Sequence, residues 1–232
     1  MNNTASKGGT VDFSRCLVDM GTIYRADPVK AVRGQAFIKC LHSYFIAELD
    51  ARLTPQAKKR GIFVKAEATI LGSHKPKDVD VSVIDPDNGP LMMIGVRSQM
   101  SSVGKNVLTY YEGIVGECIS LQDRFPMSTI GYAYLMPLKP IKEGKEHEAV
   151  DHPRFAKLYA SITGRTGQDY KSIRGIYDQF AYLVVDFDQV PPRVRDDIVQ
   201  ASVPGIDLRT STFIDRMVDT FKSRMLFMDV FA

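Results

Sequence analysis

The stretch that most constrains the fold is residues 77–99, which predicts two neighbouring strands joined by a tight turn. Residues 78–84 are rich in β-branched side chains, which strands favour. The segment that follows, residues 86–90, reads Pro-Asp-Asn-Gly-Pro and has the composition of a turn. A second apolar run covers residues 91–96 and ends in the polar residues Arg97, Ser98 and Gln99. The stretch therefore predicts a β-hairpin.

Polar side chains gather at one end of this predicted hairpin. Because side chains alternate along a strand, Asp78 and Asp80 are expected to point the same way. On the second strand Gly95, Arg97 and Gln99 are expected to share one face. Pairing of the two strands would bring these acidic and polar groups to one edge of a sheet. Since neighbouring carboxylates repel unless a cation or a basic group lies between them, the hairpin predicts such a partner there.

The composition is that of an ordinary soluble globular protein, with 232 residues of which 44% are apolar and 25% are charged. A formal net charge of +3 is compatible with a polyanionic partner but does not require one. The three cysteines lie far apart and form no Cys-x-x-Cys motif, which argues against a disulfide scaffold and a structural zinc site. No apolar run approaches the roughly 18 residues that indicate a membrane helix. We therefore expect a cytoplasmic protein without membrane contact.

Periodic segments surround the hairpin. Asp27 and Pro28 predict a helix start, and apolar residues continue at helical spacing to about Leu53. Residues 62–71 alternate as a strand does. After the hairpin, an apolar stripe from Val107 to Leu121 predicts a helix that ends before Pro126, and residues 129–138 predict a buried strand.

The last third of the chain predicts four more elements. Helices are predicted to begin at residues 151–153 and to cover residues 169–180, separated from the first part by a charged loop at residues 139–150. Residues 180–187 predict an apolar strand. An amphipathic helix follows from Phe213 to Met225, capped by Thr210 or Ser211, and its apolar face predicts a core contact or a homodimer contact.

The order of helix, three strands, helix and strand predicts an α/β fold with a central mixed β-sheet flanked by helices. No internal repeat and no low-complexity linker divides the chain. We therefore expect an N-terminal tail and lead-in segment at residues 1–26, followed by a single domain at residues 27–232.

One motif for the central stretch is the nucleotidyltransferase signature. That family combines a Gly-Ser pair with an Asp-x-Asp triplet, and Gly72-Ser73 with Asp78-Val79-Asp80 is similar to it. The segment between the two halves is short for the helix that the family places there.

A second motif favours a nuclease. From about residue 27 to residue 138 the order of elements resembles the PD-(D/E)xK nuclease superfamily, to which many restriction endonucleases belong. The run PKDVD at residues 76–80 stands where the Pro-Asp half is expected, and GVRSQ at residues 95–99 where the acid-x-Lys half is expected. The next segment, at residues 101–126, looks like the helix that follows the third strand in restriction-endonuclease-like proteins. The resemblance implies that fold and the metal-dependent hydrolysis of duplex DNA.

The acid-x-Lys half departs from the family pattern. Gly95 or Arg97 occupies the register of the acid, and Arg97 or Gln99 that of the lysine. Variants of the family move the acid to a neighbouring helix or replace it with an amide. By that resemblance the replacements are Glu117 or Glu112 for the carboxylate, Gln99 for an amide ligand and Lys105 for the ammonium group.

The resemblance implies Mg²⁺ as the cofactor, since phosphodiester cleavage uses a metal that polarises the phosphoryl group and activates water. Asp80 and Asp78 are the expected metal ligands, with Glu67 as a further acid nearby. Arg97 is expected to stabilise the negative charge of the transition state, because arginine stays protonated and binds phosphate well. The predicted catalytic set is Asp80, Arg97, Gln99, Glu67 and Lys105. None of the four histidines has a metal-ligand spacing, so none is assigned.

Duplex DNA is the expected partner, and a homodimer is possible since palindromic cutters act as dimers. Two other functions remain open: a catalytically inactive DNA-binding or assembly protein with a nuclease-like fold, and a nucleotidyltransferase using Asp78 and Asp80. The basic residues expected to contact phosphates are His74, Lys75, Lys77, Lys105, Arg165, Lys171 and Arg174.

Overall fold

The structure, a computed structural model, describes residues 12–140, 149–165 and 176–232. In these ranges the helices are α1 (Phe13–Ala26), α2 (Pro28–Arg33), α3 (Gln35–Arg52), α4 (Pro55–Lys59), α5 (Val103–Arg124), α6 (His152–Ala160), α7 (Asp196–Ser202) and α8 (Phe213–Arg224). The strands are β1 (Phe63–Leu71), β2 (Pro76–Asp85), β3 (Gly89–Ser98), β4 (Thr129–Pro137), β5 (Gln179–Asp186) and β6 (Arg193–Val194).

The strands form one mixed sheet in the order β1-β2-β3-β4-β5-β6. The first three strands pair antiparallel, as tight turns allow, and β3, β4 and β5 pair parallel. Parallel neighbours need a crossover, and α5 supplies the one between β3 and β4. The prediction of an α/β fold with a central mixed sheet is therefore confirmed. Grooves at the carboxyl ends of parallel strands are the usual place for ligands in such sheets, and β3 and β4 both end at one edge.

Helices cover both faces of the sheet. One apolar cluster combines side chains of α1, α3 and α8 with the sheet, and a second combines those of α5, α6 and α7 with the opposite face. Because strands covered on both faces need apolar side chains throughout, β4 is buried along its entire length. The apolar face of α8 packs into the first cluster through Phe213, Met217 and Phe221, which confirms its predicted core contact. A homodimer stays a prediction.

Local signals placed several elements correctly. Asp27 accepts a hydrogen bond from the Lys30 N–H at the start of α2, as predicted, but Gly34 then separates α2 from α3. The helix after the hairpin, α5, ends at Arg124, before Pro126. Before α2, residues 13–26 form α1, which buries Leu17 and Met20 in the first apolar cluster.

Two local predictions are wrong. Residues 176–178 are not helical and β5 begins at Gln179, so the helix predicted at residues 169–180 is absent from its described part; residues 166–175 lie outside the described ranges. The N-cap of α8 is Thr212 rather than Thr210 or Ser211. Its hydroxyl donates to the Asp207 carboxylate instead of accepting from the helix amides. A contact outside the helix therefore determines what this side chain does, and local sequence does not predict it. None of the described helices combines the length and apolarity needed to cross a membrane.

Candidate functional site

Asp80 lies where β2 and β3 stop pairing through their backbones. The backbone pairing of the two strands runs from Asp85 opposite Gly89 to Val81 opposite Ile94, with a register shift between Val83 and Ile84. Beyond it, the Val96 N–H donates to Oδ2 of Asp80 over 2.7 Å. The side chain thus takes the place of a strand carbonyl and satisfies a backbone donor that would otherwise be unpaired. This contact holds the carboxylate beside the GVRSQ segment of β3.

The side chains of β2 also change the face of the sheet to which they point at Asp80. Val79 belongs to the cluster under α5, whereas Val81 belongs to the cluster under α3. Residues two apart share a face on a regular strand, so the alternation breaks around Asp80. On β1, Ala66 and Ala68 pair with Val81 and Val79, and Glu67 between them lies opposite Asp80 without a regular pairing. The backbone of Glu67 is left-handed, with a φ of 48°. A non-glycine residue in that region is strained, and such residues concentrate at functional sites.

Asp78 and Asp80 make different contacts. The Asp78 carboxylate is exposed and accepts a hydrogen bond of 2.7 Å from the Thr69 hydroxyl on β1. Asp80 bonds in the other direction, to Val96 on β3. The broken alternation therefore brings Asp80, and not Asp78, to the second strand of the hairpin. The role of Asp80 as a metal ligand stays a prediction, and Asp78 makes none of the contacts described around Asp80.

The imidazole of His42 adjoins Asp80 from α3. Its Nε2 lies 3.5 Å from Oδ1 of Asp80, is buried and has no hydrogen-bond partner among the residues that the structure describes. Burial lowers the pKa of His42, although the nearby Glu67 carboxylate opposes the shift. Glu67 itself pairs with Lys39 at 3.3 Å and is half exposed. Sequence reasoning missed His42, because no local spacing connects residue 42 on a helix with residue 80 on a strand.

Burial raises the pKa of the Asp80 carboxyl. The Val96 N–H and the positive charge of Arg97 oppose that shift, and the charge of Glu67 adds to it. Removing an ionised carboxylate from water is unfavourable unless a cation compensates for it. Asp80 is therefore an acid that a bound cation would stabilise in its charged form.

Glu117 on α5 is the second buried acid in this region. Burial raises its pKa, the Lys77 ammonium lowers it, and the charge of Asp80 raises it further. Its Oε2 lies 3.7 Å from Nζ of Lys77, with both side chains largely covered. The structure thus places near Asp80 one of the two glutamates predicted to replace the missing acid. The other, Glu112, is exposed.

Arg97 projects from β3 toward α5. Its guanidinium carbon lies 4.5 Å from the centroid of the Tyr110 ring, a cation–π contact that orients the side chain. Its charge acts on both acids and lowers the pKa of Asp80 and of Glu117. Arg97 is therefore in place to balance negative charge in this region.

Gln99 and Lys105, which were predicted to belong to the catalytic set, make no described contact with Asp80. The buried amide of Gln99 donates to the carbonyl of Ser102 at 3.1 Å and accepts from the hydroxyl of Tyr134. Because Ser102 precedes α5, the amide fixes the start of that helix, and both of its polar atoms already have partners. Lys105 is exposed in the first turn of α5, and the described residues include no partner for its ammonium group.

Position 95, in the register of the missing acid, has no room for a side chain. A Cβ on Gly95 would lie 2.5 Å from Cε2 of Tyr132, closer than such atoms approach. The Tyr132 ring is held there because it stacks on Phe180, with ring centroids 5.7 Å apart. An acid at this position is therefore excluded by packing, and a carboxylate has to come from another element.

The basic residues predicted to contact phosphates have different surroundings. His74 and Lys75 are exposed in the turn between β1 and β2. Lys77 pairs with Glu117, and Arg165 is bound to the buried Asp178, which removes it from any DNA surface. Lys171 and Arg174 lie outside the described residues.

The donor set around Asp80 meets the minimal needs of a divalent cation. Among residues 12–140, 149–165 and 176–232, no three His, Cys, Asp or Glu side chains converge closely enough to hold a metal without movement. Mg²⁺ in proteins is usually held by one or two carboxylates, with water and substrate oxygens completing its shell. The Val96 N–H bonds to Oδ2 of Asp80 and not to Oδ1, and Glu117 supplies a second carboxylate nearby. These residues fit a site of that kind.

Comparison of the chain with family models, with curated proteins and with solved structures yields no match. Its function therefore has to be argued from the residues and their geometry.

Proposed function

We propose that the protein is a metal-dependent endonuclease that hydrolyses phosphodiester bonds in duplex DNA, with a restriction-endonuclease-like domain. The observation that carries this proposal is the position of Asp80: its carboxylate is held against the GVRSQ strand by the 2.7 Å bond from Val96. Arg97 on that strand lowers the pKa of Asp80, and the charge of Asp80 raises the pKa of Glu117 on the following helix. An acid, a cation and a second acid thus come from the elements on which the PD-(D/E)xK pattern places its site.

Asp80 and Glu117 would hold the metal, which would polarise the phosphoryl group and help to deprotonate the attacking water. The attacking water would lose a proton to solvent as its oxygen bonds to phosphorus. The bond to the leaving oxygen would break, and that oxygen would take a proton from solvent. Arg97 would stabilise the charge that develops on the phosphoryl oxygens, because a guanidinium group binds phosphate oxygens well. Tyr110 orients that guanidinium, and the Val96 N–H fixes the Asp80 carboxylate through Oδ2, which leaves Oδ1 as the oxygen that would bind a metal.

A second candidate is a DNA-binding or assembly protein that has lost catalysis. Tyr132 excludes an acid from position 95, and Lys77 pairs with the glutamate that would replace it. Both observations suit a site whose charges are balanced without metal. The nucleotidyltransferase alternative has less support, because residues 72–75 form the turn between β1 and β2 and no helix separates Ser73 from Asp78.

The test is cleavage of supercoiled plasmid DNA in Mg²⁺ and in Mn²⁺ by the full chain and two matched variants. Asp80→Asn keeps an oxygen that accepts from Val96 but removes the charge, and we expect it to reduce cleavage by about 100-fold or more. Asp78→Asn makes the same change two residues away, at an exposed side chain, and is expected to cut within about 3-fold of the parent. Cleavage that survives Asp80→Asn overturns the proposal, and DNA binding without cutting in either metal supports the inactive alternative.

A further inference from the structure

Two histidines in the described residues are buried with an unpaired Nε2, His42 and His152. His152 lies in an aromatic layer, where its Nδ1 is 3.0 Å from the hydroxyl of Tyr182. His42 instead faces carboxylates, with Asp80 at 3.5 Å and Glu67 near enough to act on its ionisation. A buried polar atom without a partner requires an explanation, and the unpaired Nε2 of His42 has a carboxylate oxygen of Asp80 only 3.5 Å away.

The separation of the two side chains suits a shared metal ion better than a direct bond. Normal N–H···O hydrogen bonds span about 2.7–3.2 Å, so the 3.5 Å between Nε2 of His42 and Oδ1 of Asp80 is long. Two ligands each about 2.1 Å from one metal, at angles of about 90–110°, lie roughly 3.0–3.4 Å apart. Because Val96 occupies Oδ2, the Asp80 oxygen that faces His42 is the one left for a ligand bond.

Glu67 closes the outer side of this pair. It stands opposite Asp80 in the strained bend of β1, and its charge acts on both Asp80 and His42. Its side chain is 52% exposed and pairs at 3.3 Å with Lys39, which is itself half exposed, and ion pairs as exposed as this one contribute little to stability. A rotation of Glu67 away from Lys39 would therefore add a carboxylate from the solvent side, where water or a phosphate oxygen can also enter.

We propose that Nε2 of His42 and Oδ1 of Asp80 are preformed ligands of a divalent transition-metal site, which Glu67 and water complete. Transition-metal ions accept imidazole, and Mn²⁺ among them also takes the carboxylate and water ligands available here, whereas Mg²⁺ and Ca²⁺ prefer oxygen ligands alone. The inference rests on the proposed nuclease activity only in that the same ion would serve cleavage. It makes His42, rather than Glu117, the partner of Asp80 in holding that ion, and it names Mn²⁺ rather than Mg²⁺ as the preferred cofactor. Metal binding itself is independent of what the ion does.

The first experiment titrates Mn²⁺ into the full chain and follows the free ion by electron paramagnetic resonance. We expect one site whose affinity falls about 10-fold or more in His42→Phe and in Asp80→Asn. His152→Phe is the matched control, since it replaces the other buried histidine with an unpaired Nε2, and its affinity is expected to equal that of the parent. Circular dichroism establishes that each variant is folded, and a large excess of Mg²⁺ should displace little Mn²⁺.

A second measurement needs no variant. Substoichiometric Mn²⁺ added to the parent chain labelled with ¹³C-histidine should broaden the ring signals of His42 before those of the other three histidines. Broadening that begins elsewhere, no broadening, or parent-like affinity in folded His42→Phe overturns the inference. Mn²⁺ binding at His42 without DNA cleavage leaves this site standing and removes the nuclease. Cleavage that depends on Asp80 but is unchanged in His42→Phe overturns the His42 metal site and leaves the proposed nuclease activity standing.

Discussion

The two ends of the sheet hold their carboxylates in different ways. At the end where β4 and β5 begin, the wholly buried Asp178 accepts two hydrogen bonds from Arg165, two from Arg224 and one from the Ile130 N–H. At the other end, the partly buried Asp80 accepts a hydrogen bond from the Val96 N–H and lies beside the imidazole of His42, whose Nε2 has no hydrogen-bond partner among the described residues. A partly buried acid with few partners is a candidate ligand site, in contrast to one whose charge is paired within the fold.

Asp85 belongs to the paired end as well. Its buried carboxylate anchors the turn of the hairpin, with 2.8 Å to the amide of Asn88, 3.0 Å to the Asp87 N–H and 3.1 Å to Arg60. Burial acts to raise the pKa of Asp85, but these contacts outweigh it and hold the pKa below its usual range. The pKa of Asp80 is shifted in the opposite direction. The protein thus stabilises the anion of Asp85 with its own groups, whereas the anion of Asp80 would be stabilised by a bound cation.

The largest expected effect on stability lies at Asp178. Asp178→Asn leaves two buried guanidinium groups without their counter-ion, and we expect the free energy of unfolding to fall by about 3–5 kcal/mol. Asp80→Asn keeps its hydrogen bond to Val96 and should change that free energy by less than about 1 kcal/mol. Urea denaturation of the two variants and the parent measures both. If Asp80→Asn lowers the free energy of unfolding as much as Asp178→Asn does, the two carboxylates contribute equally to stability and the proposed difference between the two ends of the sheet is wrong.

A pair of glycines tests the packing that excludes an acid from position 95. Gly95→Ala forces the Tyr132 ring to move, and overpacking of this kind is expected to cost about 1–3 kcal/mol. Gly113 on α5 is the control, because a Cβ added there meets nothing within 4 Å. Gly113→Ala should stabilise the chain by up to about 1 kcal/mol through helix propensity. A neutral Gly95→Ala would mean that position 95 can accommodate a side chain after all.

The smallest effect concerns pH and Asp85. Since its folded pKa lies below the unfolded one, Asp85 stabilises the fold above about pH 4, and that contribution is lost as pH falls through the folded pKa. Asp85→Asn should therefore cost about 1–2 kcal/mol at pH 7, and the difference from the parent should shrink below pH 4. Urea unfolding at pH 7 and pH 3 provides the measurement. A difference that is constant with pH would remove Asp85 from the paired group.

The sequence predicted the scaffold of the site well because its signals are local. The turn residues between β2 and β3 define the hairpin, and Pro126 predicts where α5 ends. Glu117 was one of the two glutamates predicted to replace the missing acid, and the structure places it near Asp80. Asp80 lies on the predicted strand and contacts the GVRSQ strand.

The missed features all depend on contacts between distant segments. His42 meets Asp80 only because α3 crosses the sheet at that point, and nothing in the residues around position 42 indicates it. The strict alternation assumed for Asp78 and Asp80 fails because β1 bends at Glu67 on the neighbouring strand. Likewise, the absence of an acid at position 95 has a physical reason only once Tyr132 is seen against Gly95.

The most direct test of the difference between the two ends is crystallography of the full chain soaked in Mn²⁺, with anomalous data collected for the ion. We predict a peak about 2.2 Å from Oδ1 of Asp80 and Nε2 of His42, and none at Asp85 or Asp178. A well-occupied peak elsewhere, or no peak beside Asp80 at millimolar Mn²⁺, would contradict it.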